Sequence, residues 1–323
     1  MMIETMSEVI PLLIGGVVLF LYAITQLSAV MNDIFTEKAK DVITKYTSTI
    51  FSTILIGTIL TILLDSSSAV IILVIVFINA KTLSFRQAIG IIMGANIGTT
   101  ISSQIIAMDV GKYAVIPLII GLLFEVFIKN KKWKKYGNVL LYFGMLFFGL
   151  FIIETSVLPM KDSKLFSEWI VKIEENYIQG ALIGGLITLI IQSSSGTVGM
   201  AIVLGKQQVL STAAGIAIML GAELGTCSDT LLATIKGSRQ ALKAGVFHLL
   251  FNFFTIIIGL LLFVPFVRLV QFISKHQDIG SQIANAHVLF NVLGVLLFIP
   301  IVGVMEKLLN IILPDRELNL AKA

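Results

Sequence analysis

Two serine triplets interrupt long apolar stretches of this sequence, and each offers three hydroxyl groups for hydrogen bonding. Asp65 precedes the triplet at residues 66–68, and Gln192 precedes the triplet at residues 193–195. Serine favours turns and helix caps, because its hydroxyl competes for backbone hydrogen bonds. Hydroxyls and the amides of a helix N-terminus can bind an anion without a fixed positive charge. Hydroxyl and carbonyl oxygens also suit a hard cation such as sodium. The triplets therefore indicate an anion site, a sodium site or both.

The two triplets belong to an internal repeat with a constant offset of 127 residues. The motif GANIGT at residues 94–99 recurs with the same offset as GAELGT at residues 221–226. Apolar segments share leucine and isoleucine by chance, but two polar motifs at a fixed interval predict a duplication. Residues 57–99 align with residues 184–226 without a gap, at 15 identical positions of 43. We expect one copy over residues 9–135, a second over 136–274, and a final transmembrane helix over 286–313.

The composition of the chain indicates the class of protein that carries this repeat. Of its 323 residues, 57% are hydrophobic and 13% are charged, and the mean hydropathy is +0.98. Soluble domains are about 45–50% apolar and about 25% charged, so we predict an all-α integral membrane protein. This excludes a soluble enzyme, a nucleic-acid binder and a disordered protein, and the long apolar runs exclude a membrane barrel. One cysteine and three scattered histidines argue against a disulfide, zinc or iron. No cofactor and no soluble domain are expected.

Residues 49–80 and 177–207 are expected to enter and leave the membrane on one side. Each consists of two apolar stretches that are too short to span a bilayer, separated by a serine triplet. Unwound backbone at membrane depth is tolerated where it is buried in protein or lines a watery cavity. We therefore predict two re-entrant helical hairpins and about seven full spans. The lysine run at residues 129–135 is placed in the cytoplasm, which puts the N-terminus outside, the C-terminus inside and the two copies in inverted topology.

The repeated motif resembles that of a known family. A QSSS-like motif followed about 29 residues later by a GxNIGT-like motif, both present twice, is similar to the type II sodium–phosphate cotransporters. The segments FHLLFN at 247–252 and AHVLFN at 286–291 resemble the bacterial members. The resemblance covers about residues 9–313. It implies sodium-coupled uptake of inorganic phosphate by alternating access across the bacterial cytoplasmic membrane, and no enzymatic activity. Relatives are often described as dimers, so a homodimer joins phosphate, sodium and the lipid bilayer among the expected partners.

The resemblance, together with the other polar side chains of the motif segments, predicts which residues bind the transported species. The candidate phosphate ligands are the triplets and the glutamine before the second one: Ser66, Ser67, Ser68, Gln192, Ser193, Ser194 and Ser195. The candidates for binding or coupling sodium or protons are Asp65, Asn96, Thr99, Thr100, Thr197, Glu223, Thr226 and Asp229. Sodium is the only metal ion expected.

Three acidic residues distinguish this sequence from the family's pattern. Asp65 replaces the first glutamine, Glu223 replaces the second asparagine, and Asp229 aligns with Ser102 of the first copy. A charge at the bilayer centre costs about 2.5–3.5 kcal/mol on insertion scales, and no Lys or Arg lies between residues 46 and 80, 87 and 108, or 177 and 205. The acids are therefore expected to bind cations or to carry protons. The alternative function is a transporter of the same fold that is coupled to protons or moves a different solute.

Two other classes of protein fit the sequence less well. An intramembrane serine hydrolase would need one activated serine with His248 or His287 as base, but the two triplets are equivalent and neither repeat core contains a histidine. We expect both histidines to hydrogen-bond within the bundle instead. A passive channel would show no uphill accumulation. The serines could also act as contacts between helices, and the motif glycines could allow close helix packing.

Overall fold

The computed structural model describes residues 6–108, 111–157, 159, 164–235 and 237–314, and regular structure within these ranges is entirely helical. The α-helices in chain order are α1 (Met6–Tyr46), α2 (Ile50–Leu64), α3 (Ser67–Asn79), α4 (Phe85–Ala107), α5 (Val115–Phe127), α6 (Lys131–Val157), α7 (Lys164–Glu175), α8 (Tyr177–Ile191), α9 (Ser194–Lys206), α10 (Thr212–Gly225), α11 (Cys227–Thr234), α12 (Arg239–Leu261), α13 (Phe263–Ile273), α14 (Ile279–Phe298) and α15 (Val302–Ile312). Short 3-10 helices lie at Gly111–Tyr113 and Ile299–Ile301.

Within the described ranges, six helical segments are long and apolar enough to cross a bilayer, which confirms an all-α, multi-pass membrane architecture. They are Val9–Ile43, Phe85–Ala107, Lys131–Val157, Thr212–Thr234, Arg239–Leu261 and Ile279–Ile312. About seven full spans were expected, and the difference is α5. Its 13 residues extend about 20 Å, whereas the hydrocarbon core is about 30 Å thick. Both chain ends, 1–5 and 315–323, lie outside the described residues, as do the predictions made for them.

Some helix boundaries differ from the sequence expectation. The helix expected to begin at Ala286 begins at Ile279, because the side chain of Asp278 caps it by accepting the backbone N–H of Ser281 at 3.0 Å. The first helix of the second copy, α6, begins at Lys131 rather than near residue 136. The first turns of both helices therefore contain polar residues and lie several positions before the apolar stretch that marks each helix in the sequence.

The first serine triplet lies where α2 ends and α3 begins. Asp65 ends α2 in the left-handed backbone region, with φ of 50°. Ser66 then caps α3, and its hydroxyl accepts the backbone N–H of Ala69 at 3.1 Å. A left-handed residue followed by a helix cap interrupts the helix without a glycine or a proline.

The second triplet repeats this geometry. Gln192 ends α8 with φ of 53°, and the Ser193 hydroxyl accepts the backbone N–H of Gly196 at 3.0 Å. The other two left-handed non-glycine residues in the described part of the chain, Lys81 and Gln208, follow α3 and α9. All four positions obey the 127-residue offset, so the backbone repeats as the sequence does.

Glycines allow α4 to lie directly on α2, and α10 on α8. A Cβ atom at Gly94 would come within 2.0 Å of the carbonyl oxygen of Ile54. At the equivalent Gly221, a Cβ would come within 1.7 Å of the carbonyl oxygen of Ala181. No side chain fits at these distances, so the motif glycines provide close helix packing in both copies.

The first helices of the two copies, α1 and α6, pack against each other. Phe20 of α1 and Phe147 of α6 are buried in one hydrophobic cluster with Val198 of α9. The outer surface is apolar as well: Leu182 and Ile190 of α8 are 68% and 70% exposed. Large apolar side chains on the outside are expected where lipid replaces water.

Candidate functional site

The ends of α2, α3, α8 and α9 meet at one cavity of about 170 Å³. Both serine triplets line it, although they lie 127 residues apart in the sequence, and α1 forms a further wall. The lining residues are Ile24, Thr25, Ser28, Asp65, Ser66, Ser67, Ser68, Ile191, Gln192, Ser193, Ser194, Ser195 and Thr226. An engineered cavity of about 150 Å³ holds a benzene molecule, so the volume admits a small oxyanion.

Two helix N-termini face this cavity, because the triplets form the first turns of α3 and α9. The cap serines satisfy one backbone N–H in each helix, and the remaining first-turn amides carry the partial positive charge of the helix dipole. Asp65 is the one charged residue among the lining residues. The cavity thus offers hydroxyls and amides to an anion, and its lining residues include no lysine or arginine.

Both the side chain and the backbone carbonyl of Asp65 accept hydrogen bonds. Its Oδ1 accepts a hydrogen bond from the Ser102 hydroxyl of α4 at 2.5 Å. Its carbonyl oxygen accepts a hydrogen bond from the Ser28 hydroxyl of α1 at 3.0 Å. Asp65 also borders a second cavity of about 170 Å³, which is otherwise lined by apolar residues and Ser102. The carboxylate therefore lies between a polar and an apolar compartment.

The sequence predictions did not include Thr25 and Ser28 of α1, which line the cavity. Both lie on an apolar helix without a recognisable motif. The sequence indicates their role only through their spacing of three residues, which places both side chains on one face of the helix. Ser102 was noted in the sequence only as the position aligned with Asp229.

All seven candidate phosphate ligands line the cavity. Of the eight candidates for ion binding, Asp65 and Thr226 line it and the other six do not. The hydroxyls of Thr99 and Thr100 donate to carbonyl oxygens of their own helix, at 3.0 and 2.7 Å. The hydroxyl of Thr197 accepts a hydrogen bond from the Thr188 hydroxyl at 2.7 Å.

Asp229 belongs to the second copy but contacts the first triplet. Its carboxylate interacts with the side chain of Ser68, and it accepts the backbone N–H of Thr230 at 2.9 Å. In the aligned pair of the first copy, Asp65 bonds to Ser102 of the same copy. The offset aligns Asp65 with Gln192 and Ser102 with Asp229, so within these two pairs each copy has one acid, but at a different position. Asp229 also connects the two copies, because it contacts a serine of the first one.

Glu223 is hydrogen-bonded to a buried histidine from outside the repeat. Its Oε1 lies 2.6 Å from His287 Nε2, and the other ring nitrogen, Nδ1, lies 2.7 Å from the Ser103 hydroxyl. No Lys or Arg lies between residues 206 and 236 of the sequence, and the partner of Glu223 comes instead from α14, outside the motif segments. The serine, histidine and acid follow the order of a hydrolase triad, but Ser103 is fully buried and does not line the cavity.

The equivalent position in the first copy is neutral. Asn96 donates from Nδ2 to the Oδ1 of Asn252 at 2.6 Å. The second histidine, His248, lies with its Nδ1 2.8 Å from the Thr230 hydroxyl. Both His248 and His287 thus hydrogen-bond within the bundle. Their partners, Thr230 and Ser103, occupy equivalent positions in the two copies.

A bundle of apolar helices, interrupted where helix ends meet at a polar cavity, is typical of secondary transporters. Comparison with known proteins agrees with this class. The chain belongs to the Na+/Pi-cotransporter family, whose sequence model matches it twice in succession, at residues 19–155 and 160–298.

Two relatives cover most of the chain. A Bacillus subtilis protein named "Uncharacterized protein YqeW" is 29% identical over 265 residues, which are 81% of this chain and 84% of the relative. The Escherichia coli protein "Putative inorganic phosphate export protein YjbB" is 24% identical over 257 residues, or 79% of this chain. That match spans only 47% of YjbB, so this chain corresponds to about half of that relative. No solved structure matches the chain.

Proposed function

We propose that this protein is a secondary active transporter that couples the uptake of inorganic phosphate to sodium by alternating access. The observation that carries this proposal is the convergence of two serine triplets and two helix N-termini on one cavity of about 170 Å³. Membership of the Na+/Pi-cotransporter family supports phosphate as the substrate.

Phosphate is bound in this proposal by the serine hydroxyls and by the first-turn amides of α3 and α9. Such groups donate hydrogen bonds to phosphate oxygens without adding a net positive charge. The side-chain amide of Gln192 lies among the lining residues and adds a further donor. Ser67 and Ser194, at equivalent positions, contribute one hydroxyl from each copy.

Sodium supplies the missing positive charge. Among the lining residues, Asp65 is the one acid, and it follows the C-terminal end of α2, where the helix dipole is negative. A cation beside Asp65 would neutralise both the carboxylate and the bound anion. Coupling follows, because phosphate binding is then favourable only when sodium is present. No further cofactor is required.

The proposed membrane arrangement has two inverted copies with re-entrant hairpins at α2–α3 and α8–α9. The repeated left-handed residues and the two successive family matches support the duplication. In this proposal α5 together with its flanking residues forms a seventh full crossing, so the N-terminus lies outside and the C-terminus in the cytoplasm of a bacterial cell. Residues 9–135 and 136–274 are the proposed copies, with 286–313 as the final helix. A homodimer is also part of the proposal.

Radiolabelled phosphate uptake by purified protein in sealed vesicles tests the function. An inward sodium gradient is expected to drive accumulation above the external concentration, and an equal potassium gradient is the control. Equilibration without accumulation would indicate a channel instead. Labelling of the protein by a serine-reactive phosphonate would indicate a hydrolase.

The direction of transport in the cell is a separate question, because the relative YjbB is named as an export protein. A symporter moves phosphate down the combined gradients, so outward sodium and phosphate gradients should drive efflux from the same vesicles. Efflux that persists when sodium is replaced by potassium on both sides would favour a sodium-independent exporter.

Proton coupling is the second candidate function, and the buried pair of Glu223 and His287 favours it. Burial disfavours a net charge, so a pair that holds one proton is neutral, and release of that proton leaves a buried negative charge. Phosphate accumulation driven by a pH gradient without sodium would support this candidate over the first.

A further inference from the structure

A second polar cavity, of about 370 Å³, lies between α1 and the beginning of α6. It shares no lining residue with the cavity of the serine triplets. Its lining residues are Asp33, Ile34, Lys38, Lys131, Lys132, Lys135 and Tyr136. Four lysines and one aspartate give four positive charges and one negative charge, a formal net charge of +3. The charge of this cavity is thus opposite to that of the serine-triplet cavity.

Most of this positive charge is not balanced by the protein. Lys135 Nζ lies 2.7 Å from Asp33 Oδ2, and Lys38 Nζ lies 5.9 Å from the centre of the Phe35 ring. Within the described ranges, neither Lys131 nor Lys132 has an acidic side chain within 4 Å. At least two ammonium groups are therefore available to an anion from outside the chain.

Ile34 and Tyr136 line the cavity, and further exposed aromatic and apolar side chains lie close to its lysines along the chain. Trp133 is 58% exposed, and its ring contacts that of Tyr136 at a centroid distance of 5.9 Å. Exposed tryptophan and tyrosine are typical of the level of lipid headgroups. Just before the lysines, α5 ends with Val126 and Phe127, which are 64% and 72% exposed. The cavity thus lies where the apolar outer surface of the protein ends.

We propose that this cavity binds the headgroup phosphate of an anionic phospholipid from the surrounding bilayer. Lysine binds phosphate as a point charge, and basic pockets between transmembrane helices bind anionic headgroups. The exposed aromatic and apolar rim favours a lipid over free phosphate, because a water-soluble ion makes no use of such a surface. The bound lipid would contact both α1 and the beginning of α6, two helices that pack against each other.

Native mass spectrometry of the full-length protein in mixed micelles of phosphatidylcholine and phosphatidylglycerol tests this proposal. The wild-type protein is expected to retain phosphatidylglycerol selectively. The double variant Lys131→Gln/Lys132→Gln should bind it at least tenfold more weakly, because each lysine near a lipid surface contributes to the attraction. Lys134→Gln is the matched control: this lysine lies on the same helix, pairs with Glu125 at 2.8 Å and does not line the cavity.

Equal retention of phosphatidylglycerol by the wild-type protein and the double variant would overturn the proposal. So would displacement of the lipid by excess inorganic phosphate, together with loss of phosphate binding in the double variant, because free phosphate would then be the ligand. Thermal unfolding in pure phosphatidylcholine vesicles checks the fold, and an unchanged Tm is expected. If the double variant unfolds early there, Lys38→Gln repeats the test from α1. Lipid retention is measured without transport, so the result is independent of the proposed transport function.

Discussion

The two helix breaks have the same backbone but carry different charges. Asp65 and Gln192 both adopt the left-handed conformation, with φ of 50° and 53°, and each is followed by a serine that caps the next helix. The first break contributes a carboxylate to the shared cavity and the second contributes an amide. A duplicated backbone can therefore keep its geometry while one copy changes the charge of the common site.

The same contrast occurs one helix further along. Asn96 of the first copy bonds to Asn252, while Glu223 at the equivalent position bonds to His287. Here the acid is in the second copy, and its partner comes from a helix outside the repeat. At both pairs of equivalent positions, one copy has an acidic residue and the other has a neutral amide. Substitutions at these positions can test what the difference does.

The largest expected effect comes from the glycines that both copies share. Gly94→Ala and Gly221→Ala should each destabilise the fold by about 3 kcal/mol, the upper end of the usual cost of overpacking, because the new Cβ would lie 2.0 or 1.7 Å from a backbone oxygen. Thermal unfolding of the purified variants measures the effect. Gly303→Ala is the control, since no atom lies within 4 Å of its added Cβ. A wild-type Tm for both motif variants would show that α2–α4 and α8–α10 can separate without cost.

The next largest effect concerns the serines and glutamine of the cavity. Ser194→Ala and Gln192→Ala should weaken phosphate uptake at least tenfold, because a hydrogen bond to a charged group contributes about 1.5–3 kcal/mol. The equivalent variant Ser67→Ala shows whether the first copy contributes equally. Uptake by all three is measured in vesicles under a sodium gradient. Ser156→Ala serves as control, since this buried serine bonds to its own helix and does not line the cavity. Near-normal uptake by all three variants would remove the proposed site.

Substitution of Asp65 or Asp229 should change the sodium dependence of uptake more than the affinity for phosphate. Asp65→Asn is expected to shift the sodium activation curve several-fold, because its carboxylate lines the cavity, with a smaller change in phosphate affinity. Asp229→Asn should have a weaker effect, since Asp229 contacts Ser68 without lining the cavity. Uptake measured against sodium concentration tests both variants. Identical sodium curves for Asp65→Asn and the wild type would exclude a coupling role for that acid.

A moderate effect on stability is expected at Glu223. Glu223→Asn makes the second copy resemble the first but leaves Nε2 of the buried His287 without its partner, at a cost of about 1–3 kcal/mol. Glu223→Gln keeps an acceptor of the same length and should recover much of that loss. Thermal unfolding of both variants makes the comparison. Equal stability of the two would mean that the carboxylate is held by packing and not by the histidine.

The smallest effect is expected at a surface ion pair that only the first copy has. Arg86 Nη1 lies 2.8 Å from Glu306 Oε2, whereas the aligned position of the second copy is Ala213. Arg86→Ala should cost less than about 1 kcal/mol, because exposed ion pairs are screened by water. A Tm more than a few degrees below wild type would indicate that α15 depends on this contact.

The sequence was sufficient to predict the helix breaks and the membrane class. The segments expected at 49–80 and 177–207 contain helix pairs that begin at Ile50 and Tyr177 and end at Asn79 and Lys206. Serine caps and long apolar runs are local signals, and so they can be read from the chain directly. The fixed offset of the repeat adds the expectation that equivalent residues meet at one place.

The remaining contacts depend on how helices pack, which the repeat does not encode. The offset relates the two copies to each other but not to α14, so it gave no reason to pair Glu223 with His287. Ser28 reaches the backbone of Asp65 from an apolar helix with no motif of its own. The number of spans depends on where each helix begins and ends, and α5 has only 13 residues, which is too short for the full span that the count of seven includes.

The cavity of the serine triplets also limits what an ancestral, half-length chain could have done. Each copy provides one triplet and one helix N-terminus, which is half of the wall and leaves the opposite side open. A single copy would complete this wall only by associating with a second copy. In one polypeptide the two copies can each place a different residue at the shared wall, as Asp65 and Gln192 do.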